Sequence, residues 1–313
     1  MPPAATVLFA LGVLLMSEPT VNAADEAMMI PRASQTEIYK TIGDVELRIF
    51  IFNPPGHRAT DQRPAIVFFF GGGWASGHPR QFAPQCAYLA SRGMVAMTAE
   101  YRVRNRHHTT PFECVKDGKS AVRWARANAG RLGVDPHRIA AGGGSAGGHV
   151  AACTGVIDGI EEDGEHRTVS SRPNAMVLFN PALVLGSIEG EQELPAELVE
   201  LLKDRFGRNS PVALSPYHAL SSDAPPTIIF HGEDDPTVPI ASIRLYVEKA
   251  TTLGLRCELV AFPGQVHGFF NHGRGEGKAF IATMKAADAF LVSLGYLAGQ
   301  PTIEQFQWTS TND

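Results

Sequence analysis

The stretch Arg138-Ile-Ala-Ala-Gly-Gly-Gly-Ser-Ala-Gly-Gly148 decides more about this chain than any other. Its left half, Arg138–Gly142, is a short run without polar alternation, as expected of a strand covered on both faces. Its right half opens a helix-compatible run from Ala146 to Thr154. Between them Gly143-x-Ser145-x-Gly147 puts a serine on a sharp strand-to-helix turn. Such a turn strains the serine backbone and needs neighbours without side chains if it is to close. The hydroxyl then stands at the C-terminal edge of a sheet, where a helix dipole and the Ala146 N–H favour a nearby oxyanion. The same glycines also satisfy Gly142-x-Gly144-x-x-Gly147, a dinucleotide fingerprint. That fingerprint belongs after the first strand of its unit, with an acid about 20 residues on, at the end of the next strand. Here the turn follows a middle strand, and the acids after it fall in a polar loop before the strand that begins at Ala175. The serine reading is therefore preferred.

Working outward, short apolar strands that likewise lack polar alternation, as expected of strands covered on both faces, recur at Ala65–Phe70, Met94–Ala99, Ala175–Phe179, Thr227–His231 and Cys257–Phe262. Ile38–Thr41 and Val45–Phe52 flank Gly43-Asp44 and read as an antiparallel hairpin. Helical stripes lie between the strands: Phe82, Cys86, Leu89 and Ala90; Val115, Gly118, Val122, Ala125 and Ala129; Ile243, Val247 and Ala250; Phe280, Met284, Ala287, Leu291 and Leu294. Alternation of strand and helix predicts an α/β fold: a doubly wound, mostly parallel sheet of about eight strands with an antiparallel N-terminal hairpin. Leu183 to Tyr217 is long for a connection, contains a helical Glu197–Arg205 stretch, and stands where a small lid could be inserted, a surface excursion with no role being the alternative. The acidic stretch Asp158–Glu165 reads as a solvated loop.

A serine hydroxyl becomes a nucleophile only beside a base, and the base needs a carboxylate to fix its tautomer. Two later strands end in suitable loops, His231-Gly-Glu-Asp-Asp-Pro-Thr-Val-Pro239 and Phe262-Pro-Gly-Gln-Val-His-Gly-Phe-Phe270. Both place a candidate on the sheet edge that Ser145 occupies, where open α/β sheets hold their sites. Asp235 is the expected acid, because Pro236 and Val238-Pro239 stiffen the turn behind it; Glu233 and Asp234 are expected to face solvent. His267 is the expected base, and His231 reads as a structural strand-end residue. The loop Phe69-Phe70-Gly71-Gly72-Gly73-Trp74 supplies the backbone N–H groups for an oxyanion, from Gly72 and Gly73 together with Ala146. Trp74 and the Arg102–His108 loop, with Arg102, Arg104 and Arg106, are expected to wall the site, and Arg102 to touch substrate.

These motifs, taken with Glu100-Tyr101-Arg102 and His267-Gly-Phe269, resemble the α/β-hydrolase esterases. Within them the chain is similar to the branch shared by hormone-sensitive-lipase-like carboxylesterases and bacterial carbohydrate or feruloyl esterases, over about Ile38 to Leu297. The resemblance implies hydrolysis of short acyl esters, of the kind acetyl groups form on polysaccharide, without metal or cofactor. Phe70 stands where the family usually has His, and Gly144 where the hormone-sensitive branch usually has Asp. The hairpin also begins where that branch carries a long N-terminal cap. These departures point to the carbohydrate-esterase side. A serine exopeptidase on the same fold, a lipase for longer acyl chains and a non-catalytic binding module are the alternatives.

The composition agrees. The chain has 313 residues, is 44% hydrophobic and 19% charged, and has a net charge of −5. This is globular rather than disordered, and gives no attraction for nucleic acid. Thr6 to Met16 is apolar but too short to span a bilayer, and Val21-Asn22-Ala23 offers small residues for cleavage. Residues 1–23 therefore read as a secretory signal and 24–313 as one catalytic domain, secreted or periplasmic, with no stable membrane insertion. The expected partner is a small-molecule or polysaccharide ester, and the oligomeric state stays open. Cys86, Cys114, Cys153 and Cys257 form no C-x-x-C pair, and their pairing is not set by spacing.

Overall fold

The computed structural model describes residues 30–190 and 193–308. The signal-like leader lies outside the described residues. Eight strands form one sheet: β1 (Gln35–Ile42), β2 (Val45–Phe52), β3 (Arg63–Phe69), β4 (Val95–Ala99), β5 (Val134–Gly144), β6 (Ala175–Phe179), β7 (Thr227–Gly232) and β8 (Cys257–Phe262). Their order is β1-β2-β4-β3-β5-β6-β7-β8. β1 and β2 form the antiparallel hairpin, β2 runs antiparallel to β4, and every later pairing is parallel.

Six helices of two turns or more pack against it: α1 (Ala83–Ser91), α2 (Pro111–Ala127), α3 (Ala146–Val156), α4 (Ala196–Phe206), α5 (Ile240–Thr252) and α6 (Lys278–Ser293). Alternate residues of each central strand enter opposite cores. Val67, Phe69, Ile139 and Leu178 pack with α2, α3 and α5, while Ile66, Phe68, Ala140 and Val177 pack with α1 and α6. α2 starts where the sequence stops it from starting earlier. Pro111 lacks an N–H that a first helical turn does not use, and Thr110 and Glu113 complete a capping box.

The parallel register decides where the site lies. Phe69 pairs with Gly143, Gly144 with Phe179, Phe179 with Phe230, and Gly232 with Phe262. The C-terminal ends of β3, β5, β6, β7 and β8 are thus level, and the loops that leave them meet at one edge.

Two expectations need correction. β8 is not covered on both faces, since it is the sheet's edge and its residues are half-buried or exposed. The acidic loop is not simply solvated. Glu162 meets Lys40 at 2.8 Å and Arg102 at 2.5 Å, Glu161 meets Lys119 at 2.9 Å and Arg123 at 2.5 Å, and Glu165 also pairs with Arg123. The cations come from β1, α2 and the chain after β4, so the loop straps these elements together. Among the described residues no helix is long and apolar enough to cross a membrane.

Candidate active site

Ser145 sits at the junction of β5 and α3 with φ 55° and ψ −121°. This is costly for a residue with a side chain, and the surroundings hold it there. Its N–H donates to the Phe179 carbonyl at 2.9 Å, and its own carbonyl accepts from the His149 N–H at 2.9 Å. The turn leaves no room for bulk: a Cβ on Gly147 would lie 2.1 Å from the Phe69 carbonyl oxygen.

His267, in the loop after β8, reaches both predicted partners. Its Nε2 is 2.9 Å from Ser145 Oγ and its Nδ1 is 2.7 Å from Asp235 Oδ2. A carboxylate can only accept, so Nδ1 carries the proton and Nε2 is left to accept from the serine hydroxyl. The other Asp235 oxygen accepts the N–H groups of Thr237 and Val238, both at 2.9 Å. Burial works to raise the Asp235 pKa, but the His267 hydrogen bond and these two N–H groups outweigh it and hold the carboxyl below its usual range. Glu233 and Asp234 are exposed, as expected. His231 is fully buried, its Nε2 donating to the Val238 carbonyl at 2.8 Å, and burial lowers its pKa.

The glycine loop lies across from these groups. Gly72 has φ 132°, and a Cβ there would come 2.3 Å from the Ser76 carbonyl oxygen. Among the described residues no internal acceptor takes the N–H of Gly72 or Gly73. Ala146, at the first position of α3, likewise has no acceptor within its helix. With Ser145 and His267 these residues line a cavity of about 700 Å³, which Trp74, Ala182, Leu198, Leu201, Val238 and Phe270 make largely apolar.

Arg102 is not in this cavity. Its guanidinium makes a bidentate pair with buried Asp117 (Nε to Oδ2 and Nη2 to Oδ1, both 2.8 Å) and also meets Glu162, so it is a structural group rather than a substrate contact. Arg104 and Arg106 do not line the cavity either: Arg104 pairs with Asp204, and Arg106 donates to the Gly77 carbonyl. The charged side chains at the mouth are Arg80 and Arg274 instead. Trp74 does line the cavity, held by an indole N–H donated to His149 Nδ1 at 3.1 Å.

Several supporting residues escaped the motifs. Gln81 accepts the Gly71 N–H at 2.7 Å and donates to Asn271 at 2.9 Å, and Asn271 donates to the Gly268 carbonyl at 2.8 Å. This relay ties the glycine loop to the histidine loop. Asn180, just beyond β6, accepts the Gly268 N–H at 3.1 Å. Phe70, in place of the family's usual histidine, stacks on Tyr101 at 4.1 Å, and the Tyr101 hydroxyl donates to the Phe70 carbonyl at 2.6 Å. Phe70 and Tyr101 lie within the glycine-loop and Glu100-Tyr101-Arg102 motifs, while Gln81, Asn180 and Asn271 lie in none.

Comparison with known proteins gives the family of the chain. The BD-FAE family matches residues 51–249, and the dienelactone hydrolase family matches residues 211–295. The chain belongs to the BD-FAE family. It is an α/β-hydrolase of the esterase type, related to the hormone-sensitive-lipase-like branch. A structure of Thermogutta terrifontis esterase 2 phosphonylated by sarin is 50% identical, with a TM-score of 0.84, and the match covers 87% of this chain and 98% of that one. The same esterase with propionate bound is 51% identical over 86% of this chain and 97% of that one, with a TM-score of 0.80. Esterase LipC of Mycobacterium tuberculosis is 27% identical over 67% of this chain. The chain spans about half the length of the first curated relatives, 54% of LipC and 46% of a probable isoprenylcysteine methylesterase of Arabidopsis thaliana.

Proposed function

We propose that this protein is an exported serine carboxylic-ester hydrolase acting on short acyl esters. One observation carries the reading: the His267 ring bridges Ser145 Oγ at 2.9 Å and Asp235 Oδ2 at 2.7 Å, at the floor of the cavity. Ser145 Oγ attacks the ester carbonyl as its proton passes to His267 Nε2. The carbonyl oxygen becomes an oxyanion, taken up by the N–H groups of Gly72 or Gly73 and of Ala146. The bond to the alcohol breaks as Nε2–H protonates the leaving oxygen. Water then attacks the acyl-enzyme, gives its proton to Nε2, and frees the carboxylic acid and the serine. Asp235 orients His267 and stabilises its cation throughout. The chemistry needs no metal or cofactor.

Leu198, Leu201, Trp74 and Phe270 give the acyl group an apolar wall. The related esterase 2 of Thermogutta terrifontis has been seen with propionate and with butyrate bound, which supports the same range here. A carbohydrate alcohol suits the mouth, where Gln81, Asn271, Arg80 and Arg274 offer polar contacts. Export is supported by the apolar Thr6–Met16 run before Val21-Asn22-Ala23. The test is kcat/KM across p-nitrophenyl esters from two to twelve carbons, with acetylated sugars and feruloyl esters beside them. The expected maximum is at two to four carbons. A maximum at eight or beyond would favour a lipase.

A further inference from the structure

We propose that α4 is a working part of the oxyanion apparatus, in which Arg205 is a positioning residue that holds the Gly73–Trp74 peptide, the plane next to the Gly73 donor. The inference rests on the ester-hydrolase reading above and extends it to a segment with no catalytic motif. Residues 72, 73 and 74 have φ of 132°, 59° and 58°, three positive values in succession. Glycine leaves such a conformation easily, and tryptophan is strained in it, so the turn needs holding from outside.

A peptide is planar, so fixing its carbonyl also fixes the N–H on the opposite side. The Gly72 carbonyl, which orients the Gly73 N–H, is held inside the loop by the N–H groups of Ala75 and Ser76, both at 3.1 Å. The Gly73 carbonyl, which orients the Trp74 N–H, is held from across the molecule. It accepts from Arg205 Nε at 2.9 Å, 132 residues further on. Asp204, itself paired with Arg104, binds the same guanidinium and fixes its direction. The next residue, Phe206, packs edge-on against the Trp74 ring at 6.0 Å. One helix end therefore supplies two of the holds on the turn. Another is the Arg104 N–H, donated to the Trp74 carbonyl at 3.0 Å, and a further one is His149, which accepts the Trp74 indole N–H and donates to the Leu214 carbonyl at 2.7 Å, again in the 183–217 segment.

The other end of α4 carries Leu198, which with Leu201 lines the cavity. An acyl group lodged there touches the same helix that fixes the oxyanion loop. Fit in the cavity and the hold on the peptide beside the Gly73 donor are thereby joined through one element.

The experiment uses the full chain and p-nitrophenyl acetate. Arg205→Ala is expected to lower kcat about 10- to 100-fold, less than deleting an oxyanion donor outright, with KM changed less than about threefold. Guanidinium at tens of millimolar is expected to restore kcat at least about fivefold while ammonium does not, because only a planar fork replaces the lost group. Phosphonylation of Ser145 by a fluorophosphonate should slow in parallel, since the phosphonyl oxygen occupies the same hole. Lys203→Gln, which alters only the exposed pair with Glu200, should match wild type. An unchanged kcat in Arg205→Ala, a loss confined to KM, or a loss that guanidinium does not restore overturns the proposal. If Arg205→Ala does not fold, Arg205→Lys decides: reduced kcat at unchanged KM supports the proposal and unchanged kcat overturns it. Failure of the ester-hydrolase reading looks different, because wild type would then neither turn over esters nor take the label at Ser145.

Discussion

His267 touches two groups whose chemistry is useless apart: a hydroxyl that holds its proton and a carboxylate too far from substrate to act. Ser145→Ala and His267→Ala should each lower kcat at least about 10³-fold, and the double variant should be hardly worse, because the residues act as a unit. Asp235→Asn should be nearly as damaging. Asp234→Asn, at an exposed position, should stay near wild type in the same steady-state assay. His149 makes a different prediction. Its ring is fully buried and neutral, and burial pushes its pKa down to about 4. Unfolded histidine titrates near 6.5, so between these values the unfolded chain binds a proton that the native ring refuses. The associated stability is complete above about pH 6.5 and is lost as pH falls towards 4, a change of about 3 kcal/mol. Urea midpoints at pH 7 and pH 4 should separate less in His149→Gln than in wild type; an equal separation would refute the assignment. These two kinds of residue differ in how far the sequence announced them. Ser145, Asp235 and His267 sit in motifs because their chemistry needs fixed neighbours. Gln81, His149 and Arg205 act through contacts that only the folded chain creates, and Arg102 was misread because a basic loop near a glycine turn looks alike whether it binds substrate or a buried aspartate.

At the level of elements, the strands and helices were legible because burial imposes a period on the chain, and their order followed from strand–helix alternation. The strap between β1, α2 and the Asp158–Glu165 loop was not. Its charges lie far apart in sequence, and a run of acids carries no mark of what it will meet. Asp117 is its centre, fully buried, with Lys40 at 2.7 Å and Arg102 at 2.8 Å. Asp117→Asn removes the buried one of the two carboxylates that Lys40 and Arg102 share and leaves Glu162 alone to balance both cations. It should cost about 3 kcal/mol or more of unfolding free energy, as breaking a buried pair does, while kcat per folded molecule changes less than about twofold. Denaturant titration and active-site counting with a fluorophosphonate separate the two effects. A stable variant with low kcat would instead place Asp117 in the catalytic machinery.

Across the whole molecule, Cys86, Cys114 and Cys153 are buried, Cys257 is half-buried, and all four are free thiols. Burial pushes the Cys257 pKa up to about 12, so little reactive thiolate is present near neutrality. The folded protein should give almost no reaction with a disulfide reagent over minutes, and four thiols after denaturation. Two thiols after denaturation would reveal a disulfide. The sequence left this open because spacing does not say which sulfurs face one another. The turn at Ser145 has a consequence of another kind. A Cβ at Gly147 would collide with the Phe69 and Phe70 carbonyls, and one at Gly143 with the Gly147 backbone itself. No single codon change from glycine relieves either collision, since every alternative adds at least that carbon. The route through sequence space to this turn thus has no gradual approach, and a library of point variants should show the 143–147 segment as a block that admits almost nothing.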